Sequence, residues 1–331
     1  MSSIRQRVTL LTVSSIYSLA MKAPSISIFL FPFFLLLSSY SIAAQPFDYP
    51  TANLSTTWTN AVTAPHSVSF TDGSTVRAIL LRGSFGPRYA CGFYCNGTCT
   101  SYLFAVFIVQ TNSGSGIVQP AIGFPQVVWS ANRNNPVKLN ATLSLTASGD
   151  LVLRDADGSN VWSTNTAGKS VSGMNVTDSG NLVLFDSKNA IVWQSFDHPT
   201  DSLVPGQKLF EGQKLTSGIS STNWGTGLYS LHVTNRGLFA YLEANPQRVY
   251  YRYLINGTDK SAERSYVRFL NGSLSLFVHS SEPSNPDGVI TVPQASSAQY
   301  MKLMPDGNLK VWEWQAGWKV VADLFGVPRR A

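Results

Sequence analysis

Four residues with the side-chain types of hydrolytic catalysis lie close together in the chain: Ser195, Asp197, His198 and Asp201. In a Ser-His-Asp triad the imidazole takes the proton of the serine while a carboxylate orients the ring, so the three groups must touch in space. A fold assembles such a triad and adjacency in sequence does not. This stretch is also the expected position of a linker between two domains. We therefore expect no catalytic role for it and predict that the protein is not an enzyme.

Metal binding is a second possible chemistry, raised by Asp155, Asp157 and Gly158. A calcium loop of the EF-hand type needs a glycine at its sixth position and a glutamate at its twelfth, and both are missing here. The cysteines of the chain have no histidine near them in sequence that would complete a four-ligand zinc site. We expect a hairpin turn at residues 155–158, no bound metal and no cofactor.

The chain has three cysteines, Cys91, Cys95 and Cys99, all within one short segment. An oxidising compartment favours a disulfide among them. The Asn96-Gly97 pair is a hairpin-turn signal that brings Cys95 and Cys99 opposite one another. We predict that these two are joined and that Cys91 is free or buried; a bond from Cys91 to Cys99 is the alternative.

The N-terminal residues have the layout of a secretory signal peptide. The apolar run at residues 28–37 is too short to cross a bilayer, and small residues follow it. Lys22 supplies the positive charge before the run, and cleavage just before Gln45 follows the small-residue rule. We predict that residues 1–44 are removed, with Met21 as an alternative start of the same signal.

Charge and composition exclude several classes of partner. Removal of the leader takes away Arg5, Arg7 and Lys22 and no acid, so the formal net charge falls from +6 to +3. The mature sequence has no cluster of Lys and Arg interleaved with aromatic residues, as nucleic-acid binding requires, and no later apolar run long enough for a membrane span. We expect a protein secreted to the extracellular space or cell wall, with no transmembrane anchor and no nucleic-acid partner.

Asn-x-Ser/Thr sequons are spread through the mature chain, and none of them has proline at the middle position. Behind a signal peptide such sites meet the glycosylation machinery on surface turns. We predict glycans at several of the following six: Asn53, Asn96, Asn140, Asn175, Asn256 and Asn271.

The mature chain is predicted to be all-β. Short runs rich in Val, Leu, Ile and aromatic residues alternate with polar turns, as at residues 102–109 and 126–129, and no segment shows a sustained helical period. The spacing of these short strands is typical of a sandwich, a barrel or a prism.

An internal repeat favours the prism. Gly-Asp-Leu-Val-Leu followed by Val-Trp in residues 149–162 recurs as Gly-Asn-Leu-Val-Leu followed by Val-Trp in residues 180–193. Each unit is a strand, a turn and a strand ending in tryptophan, and it must stack on its copies to bury its apolar face. Trp129 ends an earlier, diverged unit, so three units with inward tryptophans predict one β-prism. A weaker echo at residues 307–312 predicts a second domain of similar build.

Three segments carry a resemblance to a known family: residues 128–133, the two repeated units, and residues 192–202. On these segments the chain resembles the bulb-type lectin domains, specifically the paired lectin domains of plant S-locus glycoproteins and G-type lectin receptor-like kinases. The resemblance implies two related domains of the β-prism II fold in tandem, over residues 45–197 and 198–331. It also implies a glycan or glycoprotein partner of the mannose type.

The chain departs from that family in two respects. Relatives continue into a cysteine-rich module and often a membrane helix, whereas this sequence stops at Ala331, so we expect a second domain truncated at its C-terminus. The receptor kinases carry a Gly-rich phosphate loop and a catalytic Asp motif, and neither occurs here.

Bulb-type lectins bind mannose through the pattern Q-x-D-x-N-x-V-x-Y, and the resemblance places three copies of it in this chain. Alternate residues of a strand share one face, so Gln, Asp, Asn and Tyr point at one sugar while Val packs against its ring. The first copy retains only the valine; its five positions are Thr146, Ser148, Asp150, Val152 and Arg154.

The other two copies are also degenerate. The second retains Asn and Val in the series Thr177, Ser179, Asn181, Val183 and Phe185. The third retains Asp and Asn in the series Met304, Asp306, Asn308, Lys310 and Trp312. A hydrogen bond to an uncharged sugar contributes about 0.5–1.5 kcal/mol, so these losses predict weak or absent mannose binding, with the second copy the best candidate. The alternative is that Asn181 and Asn308 only hold turns and strand ends.

Two functions from different classes follow. The first is carbohydrate binding by a secreted lectin, as the resemblance implies. The second is recognition of an extracellular protein, peptide or receptor by a lectin-fold scaffold that has lost its sugar sites. Intact sugar motifs would favour the first function, and their erosion favours the second.

We predict that the protein expressed in plant cells is secreted with its N-terminus near Gln45 and shrinks on treatment with an N-glycosidase. N-terminal sequencing and gel mobility of the secreted protein check both parts. Recovery of Met1 on the abundant species would contradict the signal-peptide interpretation.

Overall fold

A computed structural model describes residues 49–119, 123–257 and 264–326. The predicted signal peptide lies outside these residues. The described parts of the chain form short strands and one 3₁₀ turn at Ser195–Asp197. The first group of strands comprises β1 (Thr51–Asn53), β2 (Thr56–Thr59), β3 (Ser67–Ser69), β4 (Thr75–Leu81), β5 (Gly86–Cys95), β6 (Leu103–Thr111), β7 (Gln126–Ser130), β8 (Thr142–Leu145), β9 (Leu151–Arg154), β10 (Asn160–Ser163), β11 (Val171–Val176), β12 (Leu182–Asp186) and β13 (Ile191–Gln194).

The second group of strands follows the 3₁₀ turn. It comprises β14 (Ser202–Leu203), β15 (Lys208–Phe210), β16 (Lys214–Gly218), β17 (Thr226–Thr234), β18 (Gly237–Leu242), β19 (Arg248–Leu254), β20 (Tyr266–Leu270), β21 (Ser273–Phe277), β22 (Gly288–Thr291), β23 (Gln299–Leu303), β24 (Leu309–Trp314) and β25 (Trp318–Asp323).

Each group of strands forms three antiparallel sheets, which makes two prisms in tandem. In the first prism, sheet A has the order β3-β4-β5-β6-β7, sheet B β1-β11-β12-β13 and sheet C β10-β9-β8-β2. In the second prism, sheet D has the order β15-β20-β21-β22, sheet E β14-β23-β24-β25 and sheet F β16-β17-β18-β19. None of these six sheets combines strands from both groups. The predicted all-β tandem prism fold is therefore confirmed.

The strand sequences show which faces are buried. Along β8, half-buried Thr142 and Ser144 alternate with Leu143 and Leu145, which are fully buried, as expected for a strand with one face on a core. β6 is buried throughout because sheet A is covered on both sides. One face of β6 packs into the core of the first prism and the other into a second apolar cluster.

Three tryptophans meet at the axis of the first prism. Trp129 lies 6.0 Å from Trp162 and 5.9 Å from Trp193, ring centroid to ring centroid, and the latter two are 5.8 Å apart. All three pairs pack edge to face, an arrangement that contributes about 0.5–1.5 kcal/mol per pair beyond the buried area. The prediction that the repeated units turn their tryptophans to a shared core is confirmed, including Trp129 as the end of a diverged unit.

The three units share one irregularity next to the tryptophan. In each hairpin the strand pairing slips by one residue directly beside it: between Val106 and Phe107 opposite Trp129, and between Leu184 and Phe185 opposite Trp193. The same slip occurs opposite Trp162. A bulge of this kind bends a strand and increases its twist. The same bulge therefore lies beside each of the three tryptophans that point to the axis of the first prism.

Two hairpins of the second prism keep the bulge but have no tryptophan at the equivalent position. The pairing slips in the same way in the β18–β19 and β24–β25 hairpins, where Tyr251 and Ala322 stand opposite Ala240 and Val311. The interior is filled mainly by fully buried leucine, valine and phenylalanine side chains. A core of branched aliphatic residues therefore replaces the aromatic trio.

Arg133 joins the two prisms. Its Nε donates to the carbonyl of Trp224 at 2.7 Å, and its two Nη atoms donate to the carbonyls of Thr216 and Ser217, each at 2.8 Å. Nearby, the indole N–H of Trp129 donates to the carbonyl of His198 at 2.8 Å. The described residues of both prisms accordingly belong to one compact unit.

We predict that Trp129→Ala lowers the free energy of unfolding by about 3–5 kcal/mol, the usual cost of removing a large core aromatic, because Trp129 is 6% exposed. Phe85→Ala is the control, because Phe85 is 74% exposed and an exposed substitution changes stability by about 0.5 kcal/mol or less. Urea unfolding of the mature protein measures both. Equal losses in the two variants would show that the tryptophan trio does not hold the prism.

Candidate functional site

The first copy of the sugar motif divides between a turn and a strand. Thr146 and Ser148 lie in the tight turn between β8 and β9, where the N–H of Gly149 donates to the carbonyl of Thr146. Only Asp150, next to β9, and Val152 and Arg154, on β9 itself, follow the alternation of a strand. The expectation that all five positions share one strand face is therefore wrong for the first two. The second copy has the same layout, because Thr177 and Ser179 precede β12.

In both copies the turn hydroxyls bond to one another. Thr146 and Ser148 form a hydroxyl pair at 3.0 Å, and Thr177 and Ser179 form an equivalent pair at 3.0 Å. The threonine oxygen of each pair also accepts the backbone N–H of the residue at the third motif position. These hydroxyls close the turn that starts the strand.

Asp150 uses one of its carboxylate oxygens inside the protein. Oδ1 accepts the hydroxyl of Thr164 at 2.8 Å and the backbone N–H of Thr166 at 3.1 Å. These bonds hold the segment that follows β10 against the start of β9. The other oxygen, Oδ2, accepts no hydrogen bond from the described residues, so an acceptor remains available beside the strand.

A depression of about 370 Å³ lies over the first copy. Its floor includes the nearly buried Val152, and polar side chains surround it: Asp150, Arg154, Asn160 and Ser163. Asn160 faces Arg154 across the β9–β10 hairpin. Hydrogen-bonding groups around one apolar side chain are the arrangement that a sugar ring requires.

The amide of Asn181 is occupied by the protein itself. Nδ2 donates to Oε1 of Gln194 at 2.8 Å, while Oδ1 accepts the hydroxyl of Ser195 at 3.1 Å and the N–H of Phe196 at 3.3 Å. An asparagine offers four hydrogen bonds in all, and Asn181 is 6% exposed. Asn181 therefore anchors the segment after β13 as Asp150 anchors the segment after β10. A sugar contact of Asn181 stays a prediction, and it requires these bonds to be exchanged.

The rims of the three copies differ in polarity. The residue paired with the fifth motif position is Asn160 in the first copy, Ile191 in the second and Val320 in the third. Ile191 is 56% exposed and Val320 is 44% exposed. The first copy is thus the one in which the residue opposite the fifth motif position is polar. The sequence reasoning missed Asn160, whose signal is its position two residues before Trp162.

In the third copy the charged groups neutralise one another. Nζ of Lys310 lies 3.2 Å from Oδ2 of Asp306, and Oδ1 of Asp306 accepts the N–H of Asn308 at 3.0 Å. Burial acts to raise the pKa of Asp306, but the hydrogen bonds from Asn308 and Lys310 outweigh it and leave the pKa below its usual value. Lys310 also occupies the position where the motif needs an apolar contact.

The residues with triad-type side chains are engaged separately. The hydroxyl of Ser195 bonds to Asn181 and accepts the N–H of Leu182 at 3.0 Å. The ring of His198 stacks on Trp193 at 5.2 Å, centroid to centroid. Asp197 accepts the amide of Gln194 at 3.0 Å. These side chains hold the end of the first prism.

Cys95 and Cys99 form a disulfide, and Cys91 is a buried free thiol. Burial raises the pKa of the Cys91 thiol to about 12, partly offset by a hydrogen bond with the backbone of Leu80. Within the described residues, His, Cys, Asp and Glu side chains form no group of three or more that could hold a metal ion.

Most of the predicted glycosylation sites lie in accessible positions. Four of these asparagines are exposed: Asn53, Asn140, Asn256 and Asn271. Asn96 is half-buried beside the disulfide. Asn175 lies on β11 between two neighbouring strands, and its Oδ1 accepts Nη2 of Arg82 at 2.8 Å. The four exposed sites are the better candidates for glycans.

The two prisms, with motif residues on their strands and in the turns before them, have the architecture of β-prism lectins. The comparison with known proteins agrees. Residues 126–224 match the family model of D-mannose binding lectin domains. The chain therefore carries a bulb-type lectin domain, and the resemblance seen in the sequence is confirmed.

The relatives found for this chain are plant glycoproteins and receptor-like kinases. The chain is 37% identical to EP1-like glycoprotein 4 of Arabidopsis thaliana over 73% of its own length and 56% of the relative's. It is 37% identical to the epidermis-specific secreted glycoprotein EP1 of Daucus carota over 60% and 56% of the two lengths. A G-type lectin S-receptor-like serine/threonine-protein kinase of Arabidopsis thaliana is 34% identical over 78% of this chain and 27% of its own. The chain thus spans about half the length, or less, of these relatives.

No helix among the described residues has both the length and the apolar character needed to cross a membrane.

We predict that Asn181→Ala lowers the free energy of unfolding by about 1–3 kcal/mol, because the hydroxyl of Ser195 and the N–H of Phe196 lose a buried partner. Asn160→Ala is the matched control on an exposed strand end, with an expected change of about 0.5 kcal/mol or less. Denaturant unfolding at neutral pH measures both changes. An unchanged midpoint in Asn181→Ala would exclude the anchoring role.

Proposed function

We propose that the protein is a secreted, non-catalytic recognition protein whose first prism binds glycans at the first motif copy. The observation that carries this proposal is the depression where polar side chains from β9 and β10 surround Val152. The depression lies inside the segment that matches the D-mannose binding lectin family. A mannose-type glycan, the ligand implied by the family, is the expected partner.

The groups at this depression suit an uncharged sugar. Oδ2 of Asp150 supplies an acceptor, Asn160 supplies both a donor and an acceptor, and the guanidinium of Arg154 supplies donors. Val152 supplies the apolar contact to the ring. The surface is shallow and each hydrogen bond contributes about 0.5–1.5 kcal/mol, so we expect millimolar affinity for a monosaccharide.

The second copy competes with the first for this role. The sequence favours Asn181, Val183 and Phe185, because the asparagine and the valine of the motif survive there. In the structure Asn181 is bonded to Gln194 and Ser195, and the neighbouring rim residue Ile191 is apolar. A sugar at the second copy would need to replace internal hydrogen bonds, whereas a sugar at the first copy adds bonds to groups that face solvent.

We expect the protein to act outside the cell after secretion. The leader predicted at residues 1–44 and the name of the carrot relative, a secreted glycoprotein, both support it. We propose the extracellular space, including the cell wall, as the place where the glycan is met.

We predict that methyl α-mannoside binds with millimolar affinity and that Asn160→Ala and Arg154→Ala each weaken binding about threefold to tenfold, as the loss of one hydrogen bond implies. Ile191→Ala, at the matching position of the second copy, is the control and should bind as the wild type does. NMR titration of enzymatically deglycosylated protein measures all four, since its own glycans would otherwise compete for the site.

The reverse pattern, with Ile191→Ala impaired and Asn160→Ala intact, would place the sugar at the second copy. Absence of any chemical-shift change with methyl α-mannoside and with mannose oligosaccharides at millimolar concentrations would overturn the lectin proposal. That outcome would favour the alternative function, recognition of an extracellular protein or receptor, which the erosion of all three motif copies supports.

A further inference from the structure

A charged side chain lies in the interior of the first prism. Arg77 is on β4, paired with Ser67 on one side and Phe93 on the other, and only 6% of it is exposed. The side chain of Arg77 lies on the same face of β4 as that of Ile79, which belongs to the main core of the first prism. An arginine in this position requires an explanation, because burying a charge is costly unless the charge is paired.

The protein satisfies the guanidinium of Arg77 only in part. Nη1 donates to Oδ1 of the fully buried Asn60 at 2.5 Å, and the guanidinium carbon lies 4.9 Å from the ring centroid of Tyr102. Nε is buried and has no hydrogen-bond partner in the described parts of the chain. No described carboxylate forms a salt bridge with Arg77.

A cavity of about 460 Å³ adjoins this side chain. Arg77 forms part of its wall, together with the apolar side chains of Trp58, Ile79 and Phe93 and with threonine side chains from β2 and the connection after it. This volume falls in the range that small-molecule sites occupy, and such sites are mostly apolar with a few placed polar groups. The cavity is separate from the depression over Val152.

The free nitrogen of the guanidinium indicates the ligand. Nη1 is bonded to Asn60 and Nε is enclosed by the protein, so Nη2 is the nitrogen left to bind an anion, and a charge-assisted hydrogen bond of this kind to a carboxylate is about twice as strong as a neutral one. Of the two basic side chains that line the cavity, His66 has its pKa lowered by burial. At neutral pH the wall therefore offers one positive charge, which matches a monoanion better than a phosphate dianion.

We infer that this cavity binds a small organic carboxylate, with the carboxylate on Nη2 of Arg77 and the non-polar part against Trp58, Ile79 and Phe93. The ligand supplies the counter-charge that the protein lacks at this position. The site is independent of glycan binding, because it lies on different strands and uses none of the motif residues.

The test uses the mature protein and a panel of benzoate, phenylacetate and octanoate, each beside its methyl ester. Binding is followed by the unfolding temperature and by fluorescence, to which Trp58 in the cavity wall contributes. We expect at least one acid to raise the unfolding temperature in a saturable manner and its ester to bind at least about tenfold more weakly, a loss of about 1.4 kcal/mol. Equal effects of acid and ester, or no effect of any acid, would overturn the inference.

Three variants locate the site. Arg77→Met removes the charge and keeps the length of the side chain, and we expect it to lose the response to the acid. It also removes a hydrogen-bond donor to the buried Asn60, so the acid response is measured against the variant's own unliganded unfolding temperature. Ala64→Trp fills the cavity from the connection after β2 and leaves Arg77 in place, so it tests the site even if Arg77→Met fails to fold. Arg248→Met, on an exposed strand end, is the control and should respond as the wild type does.

The variants also distinguish other anions and other sites. A full acid response in both Arg77→Met and Ala64→Trp would show that the carboxylate binds elsewhere and would overturn the inference. Phenyl phosphate is the comparison for charge; if it binds more tightly than every acid of the panel, the ligand class is a phosphate ester and the assignment to carboxylates is wrong.

Discussion

The edge-to-face packing of Trp129, Trp162 and Trp193 is the interaction on which the first prism depends. A strand-turn-strand unit has one apolar face and cannot bury it alone. In the first prism each unit turns a tryptophan to the shared axis, and a bulge lies directly beside each of these tryptophans. The second prism shows that the bulge is the more general element, since the same slip recurs in two of its hairpins, where Tyr251 and Ala322 stand at the equivalent positions.

The packing of the units into a prism also explains why residues of the sugar motifs make internal hydrogen bonds. The strand that carries each motif must be tied to the segment that leaves its hairpin, and the side chain at the third motif position makes that tie through Asp150 and Asn181. A buried amide that is used for this purpose cannot also bind a sugar hydroxyl without losing its internal partners. The carboxylate of Asp150 keeps a second acceptor oxygen, so the copy that looks poorer in sequence retains more capacity in the structure.

Sequence patterns predict what is local and repeated. The spacing of Gly-x-Leu-Val-Leu and Trp is enough to predict the units, the prism and the inward direction of the tryptophans, because a repeat reports a shared environment. The internal hydrogen bonds of Asn181 could not be predicted in this way, since they depend on the positions of Gln194 and Ser195 in the folded hairpin. The motif pattern also does not include Asn160, which reaches the site from the neighbouring strand.

Two arginines in the first prism show how differently the same group can be satisfied. Arg133 directs three of its N–H groups at backbone carbonyls of the second prism, so its charge is held by dipoles that the fold supplies and its role is structural. Arg77 has one hydrogen-bonded carbonyl oxygen, from Asn60, an aromatic ring, and an Nη2 group without a hydrogen-bond partner among the described residues, and it forms part of the wall of a cavity. An uncompensated cation in a core lowers stability, and an apolar residue at this position would avoid that cost. A small anion in the adjoining cavity would supply the missing counter-charge, so we interpret Arg77 as part of a binding site rather than as a packing defect.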